Sequence, residues 1–250
     1  MNVAEVYYQD EFVTLYCGDC RDVAPGLAGV GAVVSDPPCG IGHPCNFAAR
    51  GRSNLARCTD YLDVAGDSAP FDPQWILAMR VPTILWGANY YADNLPPMSG
   101  WLVWDKERPD DLDQATCELA WTNCVKGARR IRYLWNGMMK AGEHGENYHP
   151  TQKPVAVMEW CLTKLPPGLL VLDPYMGSGS TLVAAKRLGI RAVGIELDGG
   201  YCAIAARRCA AARYQPTLPT MDAPQPQELL AAPAAPPPAP PANQQEQPHD

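Results

Sequence analysis

The chain has 250 residues, 47% of them hydrophobic and 19% charged, with a net charge of −7. That is enough apolar material for one packed domain of ordinary size. No apolar run approaches the roughly 18 residues of a membrane helix, and the opening MNVAEVYYQDEF lacks the basic-then-apolar order of a secretory signal, so no membrane partner and a cytoplasmic location are expected.

Ten cysteines without a signal segment read as reduced thiols. Cys17 and Cys20 form a lone CxxC with no second pair at comparable spacing, so no metal site is expected. In chain order, strands are predicted over Val13–Tyr16, Ala32–Ser35, Pro82–Trp86, Trp101–Trp104, Glu118–Trp121, Arg132–Trp135, Leu169–Leu172 and Ala192–Ile195. Helices are predicted over Arg21–Leu27, Pro73–Met79, Pro154–Leu165, Ser180–Leu188 and Gly200–Arg213. The alternation of the two implies an α/β fold with a mostly parallel sheet. His43–Pro70 reads as a long loop, and residues 106–147 as an insertion with a recognition role. Residues 215–250 hold 11 of the 26 prolines and no Lys or Arg, the composition of a disordered tail. The tail carries four acids, so residues 1–214 have a net charge of only −3, and a local basic face can still bind phosphate.

Two strand ends carry chemistry. In LLVLDPYMGSGSTLVAAKRLG an apolar strand ends at Asp173, Gly177 and Gly179 form a turn, and a helix opens at Ser180. Such a turn lets a ligand approach the backbone at the carboxyl end of a sheet. The next strand ends at Glu196, 23 residues beyond Asp173, where an acid can bond ribose hydroxyls. A carboxylate at Asp173 would repel a pyrophosphate but suit a cationic amino group, which points to S-adenosylmethionine. The second strand end is AVVSDPPCGIG, with Asp36 followed by Pro37 and Pro38. The prolines stiffen the turn and remove two donors. An anionic acceptor beside a rigid carbonyl acceptor matches the two N–H bonds of a nucleobase amino group, whose lone pair they would free for direct methyl transfer.

DPPCGIG resembles the DPPY motif of the DNA amino-methyltransferases, HPTQKP (149–154) resembles the motif ahead of their glycine strand, and LDPYMGSGST and GIELD resemble their cofactor motifs. The order, catalytic motif first and cofactor motifs last, is that of the permuted β-type members, and WLVWDK, ELAWTN and RYLWNGM resemble small phage and prophage members. The resemblance covers residues 8–213 and implies a Rossmann-like, doubly wound, mostly parallel sheet with an antiparallel strand. It implies N6-adenine methylation of double-stranded DNA, N4-cytosine being the alternative, inside a bacterial or phage-infected cell, in some members as part of restriction-modification and as a homodimer. By that resemblance Asp36, Pro37, Pro38 and Cys39 are catalytic. Asp173, Tyr175, Gly177, Gly179 and Glu196 bind S-adenosylmethionine, with Thr151, Gln152 and Lys153 at its methionine end and Asp19 near its adenine.

Cys39 departs from the family, which places there an aromatic that stacks on the extruded base. The departure implies weakened catalysis unless Phe47, Tyr90 or Tyr91 supplies a ring. A Cys after Pro also resembles the nucleophile of cytosine C5 methylation, but those enzymes place the cofactor motif first. Lys126, Arg129, Arg130 and Arg132, with Arg50 and Arg52 in the loop after the catalytic motif, suit contact with DNA.

Overall fold

A computed structural model describes residues 5–40, 67, 69–108, 115–135 and 152–215. Residues 1–216 form one compact unit, and a second unit, 217–250, lies outside the described residues together with nearly all of the expected tail.

Among the described residues nine strands form one sheet in the order β1-β2-β9-β8-β3-β4-β6-β5-β7. Its centre is parallel: β2 (Val13–Cys17), β9 (Ala192–Glu196), β8 (Leu170–Asp173), β3 (Val30–Ser35) and β4 (Thr83–Trp86). These strands read as near-continuous apolar runs because both of their faces are covered. Along β3, Ala32 and Val34 face one core and Val33 the other; along β4, Ile84 and Trp86 oppose Leu85 in the same way. The first core is closed by α3 (Val155–Leu162), α4 (Ser180–Arg187) and α5 (Gly199–Ala211). The second is closed by α1 (Cys20–Val23) and α2 (Gln74–Leu77), so the sheet is doubly wound as expected. Trp86, Trp104 and Trp121 are core residues.

Antiparallel strands flank this centre. β1 (Val6–Gln9), exposed at one edge and not anticipated, pairs with β2. On the other side β6 (Cys117–Thr122) runs antiparallel to both β4 and β5 (Trp101–Asp105), and β7 (Ala128–Arg132) is the last strand. The described part of the expected insertion, 106–147, thus contributes two strands to the sheet. β6 matches the strand predicted over Glu118–Trp121; it lies inside the sheet and buries Ala120, Trp121 and Thr122. The strand expected at Arg132–Trp135 lies at Ala128–Arg132 instead. Backbone pairing with β5 sets its register, and Tyr133 serves as acceptor for the indole of Trp104. Among the described residues no helix is long and apolar enough to cross a membrane.

Candidate active site

The chain leaves β3 toward β4 on one side and β8 toward β9 on the other, so the strand order reverses between β3 and β8. Ligands of open α/β sheets bind outside the carboxyl ends of the strands at such a point. Four acids follow those ends across adjacent strands: Asp19 after β2, Glu196 at the end of β9, Asp173 at the end of β8 and Asp36 after β3. A row of carboxylates favours a cationic ligand over a pyrophosphate.

Their surroundings differ. Asp173 is 3% exposed and accepts from Ser35 Oγ at 2.7 Å, Thr181 Oγ1 at 2.5 Å and the Tyr175 amide at 3.2 Å. It ties β3 to the glycine turn and to α4. These three internal bonds brace the carboxylate, expected to pair with a ligand ammonium, against the turn. Burial pushes Asp173 up to about 6 despite those bonds. A folded-state value above the unfolded one of about 3.9 means that folding takes up a proton there, so stability falls as pH rises through that interval. Asp173→Asn is expected to lose this pH-dependent fall, measurable as the difference between urea midpoints at pH 4 and pH 7.5 in parent and variant.

Glu196 accepts from the Gly177 amide at 3.0 Å and the Asp198 amide at 2.8 Å, which fixes its carboxylate against the turn. Gly179 has φ 82°, and a Cβ there would lie 2.9 Å from Ala205 of α5, so this glycine serves both chain reversal and helix packing. Tyr175, expected to contact the cofactor, packs against the second core and meets Phe71 edge-on at 5.4 Å. Gln152 accepts from Ser178 Oγ of the turn at 3.5 Å. Asp19 caps α1 and pairs with exposed Arg21 at 2.6 Å, which holds the carboxyl below its ordinary value. Thr151, Phe47, Arg50 and Arg52 lie outside the described residues.

Lys153 is 8% exposed, and its Nζ lies 2.5 Å from Asp36 Oδ2 and 2.9 Å from Glu118 Oε2. Lys106 Nζ reaches the other Glu118 oxygen at 2.6 Å. Lys153, expected at the cofactor's methionine end, thus stands in a chain of alternating charge. Burial pushes Asp36 up and Lys153 pulls it back. Burial also pushes Glu118 up, but Lys153 and Lys106 outweigh it and hold the group at about 2. Sequence reasoning missed Glu118 because its partner lies 35 residues away and only the β4-β6-β5 order brings the two together.

The Cys39 thiol contacts the Pro37 carbonyl at 3.8 Å. Burial, with the Asp36 carboxylate beside it, pushes the thiol up to about 12, so it is not a thiolate nucleophile. After β4 the chain turns at Gly87, φ 68°, where a Cβ would lie 2.5 Å from Cys39 Sγ. The same point is 3.9 Å from the rings of Tyr90 and Tyr91. Tyr91 is buried and donates to the Trp86 carbonyl at 2.6 Å, whereas Tyr90 is 49% exposed.

At the far edge, strand alternation divides the basic cluster. Arg130 and Arg132 share a face with Asp105, at 3.9 and 3.2 Å, beside an open groove of about 540 Å³. Arg129 points to the opposite face, and Lys126 is exposed in the preceding turn. Because β5 and β7 run parallel to β4, Asp105 and Arg132 stand at the same edge of the sheet as Asp36. That edge is acidic at β2-β9-β8-β3 and basic at β7.

A family model described as a DNA methylase, covering N6 and N4 methyltransferases, matches residues 84–207. The chain is 40% identical over 89 residues to the type II methyltransferase M2.DpnII of Streptococcus pneumoniae, a span of 35% of this chain and 33% of that protein. It is 38% identical over 82 residues to M2.LlaDCHI of Lactococcus lactis subsp. cremoris, or 32% and 30% of the two chains. The chain thus spans about a third of the length of these curated relatives. Among solved structures, the cytosine-N4-specific PvuII DNA methyltransferase shares the fold with a TM-score of 0.55 at 14% identity, over 83% of this chain and 89% of that one.

Proposed function

The chain belongs to the DNA methylase family whose model it matches, and from that premise we propose that it methylates the exocyclic amino group of a base in duplex DNA, adenine N6 being the preferred acceptor. The supporting observation is the position of Asp36 and its prolyl turn, one strand from Asp173 at the reversal point of the sheet. An Asp before the two prolines favours adenine over cytosine by resemblance.

The four-acid row fits S-adenosylmethionine, a ligand with an ammonium and a sulfonium but no phosphate. Glu196 would hold its ribose, Asp19 its adenine end, and the turn at Gly177 and Gly179 would admit it closely, with Gln152 buttressing that turn through Ser178. When bound, it supplies a methyl group made electrophilic by the sulfonium.

The chain's own residues do the rest. Asp36 Oδ2 carries Lys153, so Oδ1 is the oxygen offered to the amino N–H. The Pro37-Pro38 carbonyls offer a second acceptor that the rings hold still. Together they localise the nitrogen lone pair, and the partly buried carboxylate receives the proton the nitrogen sheds. A base must leave the duplex stack to reach this edge. Tyr90, exposed beside Cys39, supplies the stacking ring that position 39 lacks.

Arg130 and Arg132 are the phosphate contacts that fit the basic end of the edge. The Arg130→Ala/Arg132→Ala double variant is expected to weaken duplex binding and to reduce the slope of log K against log salt by about two. Asp105→Asn, which frees both guanidinium groups, is expected to tighten binding. Fluorescence anisotropy across a salt series checks both. The reading as a whole is tested by incubating the protein with methyl-labelled S-adenosylmethionine and duplex DNA. Label in DNA supports it; tight binding with no transfer, or label only in protein or RNA, contradicts it.

A further inference from the structure

We propose that Lys153 is a positioning residue that orients the Asp36 carboxylate and holds it as an anion, anchored from behind by Glu118; the inference rests on the acceptor role given to Asp36 above. Lys153 is buried immediately before α3, beside the Trp86 ring at 5.5 Å, and Pro154 fixes the backbone next to it. Its 2.5 Å contact with Asp36 Oδ2 and 2.9 Å contact with Glu118 Oε2 leave the ammonium little freedom to turn away.

The groups facing Asp36 come from every neighbouring element. Glu118 of β6 disfavours its charge, as does burial, and Asp173 of β8 is a like-charged neighbour, while the Cys39 thiol and Tyr91 of the β4 turn are neutral neighbours. Lys153, directly, and Lys106 of the β5 end, from behind Glu118, favour it. Without Lys153 the carboxylate would protonate at higher pH, and a protonated Asp36 offers a donor where the substrate needs an acceptor. Glu118 holds Lys153 in place, but its own charge works against that of Asp36. The two residues therefore act on Asp36 with opposite sign, which a purely structural role for either would not produce.

The test is a carbon-13 titration of the aspartate carboxyl carbons in the full chain, the Asp36 signal being identified by its absence in Asp36→Asn. Lys153→Met should move the Asp36 midpoint up by about one to three pH units, the range an opposite charge at this distance commands. Lys153→Arg should stay near the parent, and Glu118→Gln, which keeps an acceptor for Lys153, should move the midpoint down. An unmoved midpoint in Lys153→Met overturns the proposal. If that variant does not fold, Glu118→Gln decides: a downward shift supports the proposal and no shift overturns it. The acid limb of methyl transfer to duplex DNA should follow the same shifts. A parent that transfers no methyl group would defeat the functional reading, while the carboxyl titration still decides the role of Lys153.

Discussion

Asp36→Ala is expected to reduce methyl transfer to duplex DNA by at least about a hundred- to a thousand-fold, the scale on which one preorganised electrostatic contact counts in a transition state. The variant should still fold. Removing one partner of a buried pair is costly when it strands the other charge, but Lys153 retains Glu118 at 2.9 Å and its place beside Trp86. Duplex binding should persist, because the arginines at the basic end stand four strands away, about 19 Å at ordinary strand spacing. Asp36→Asn separates charge from shape. The amide keeps one acceptor oxygen but cannot take the proton, and its NH2 group would oppose either Lys153 or the substrate, so its loss should approach that of alanine. Steady-state transfer of labelled methyl groups, with gel-shift binding alongside, checks this. Parent-like turnover by either variant would remove Asp36 from the chemistry.

Tyr90→Ala is the second large effect. Stacking of a base on an aromatic ring contributes about 1–3 kcal/mol, so kcat/KM on duplex DNA should fall by roughly 5- to 150-fold. Tyr90→Phe keeps the ring and should stay close to the parent. Tyr90 is 49% exposed, so neither change should disturb folding. Tyr91 cannot substitute: it is buried with its hydroxyl on the Trp86 carbonyl. Cys39→Tyr would restore the family's ring at position 39, but the packing there opposes it. Cys39 Sγ sits so close to Gly87 that the site of an added Cβ is only 2.5 Å away, so a phenol ring there must displace the turn that carries Tyr90. An active Tyr90→Ala would show that the extruded base rests on something else.

These two predictions draw on different sources. Asp36, Asp173, Gly177, Gly179 and Glu196 are legible because each lies at the end of an apolar run or in the turn that follows it, and parallel strands place all such ends on one edge. The central strands were legible for the same reason, being apolar on both faces. The partners of these residues were not. Lys153 meets Asp36 across 117 residues, and Glu118 joins them only because β6 inserts between β4 and β5. No local pattern announces that strand order. The arginines of β7 looked like surface, and β7 pairs as an edge strand that holds its charges in solvent. The Arg129–Arg132 cluster read as a single patch, and the period of two along a strand splits it between faces. The three internal hydrogen bonds of Asp173, one of them to Ser35 on another strand, are equally invisible in the sequence.

The central claim is that a carboxylate and a rigid prolyl turn hold a base's amino group at the reversal point of the sheet. Mass spectrometry of nucleosides from duplex DNA treated with the protein and S-adenosylmethionine tests it most directly. The account predicts N6-methyladenine in the parent reaction and its disappearance with Asp36→Ala. A product methylated at cytosine carbon five, or N6-methyladenine formed equally by the Asp36→Ala protein, would contradict it.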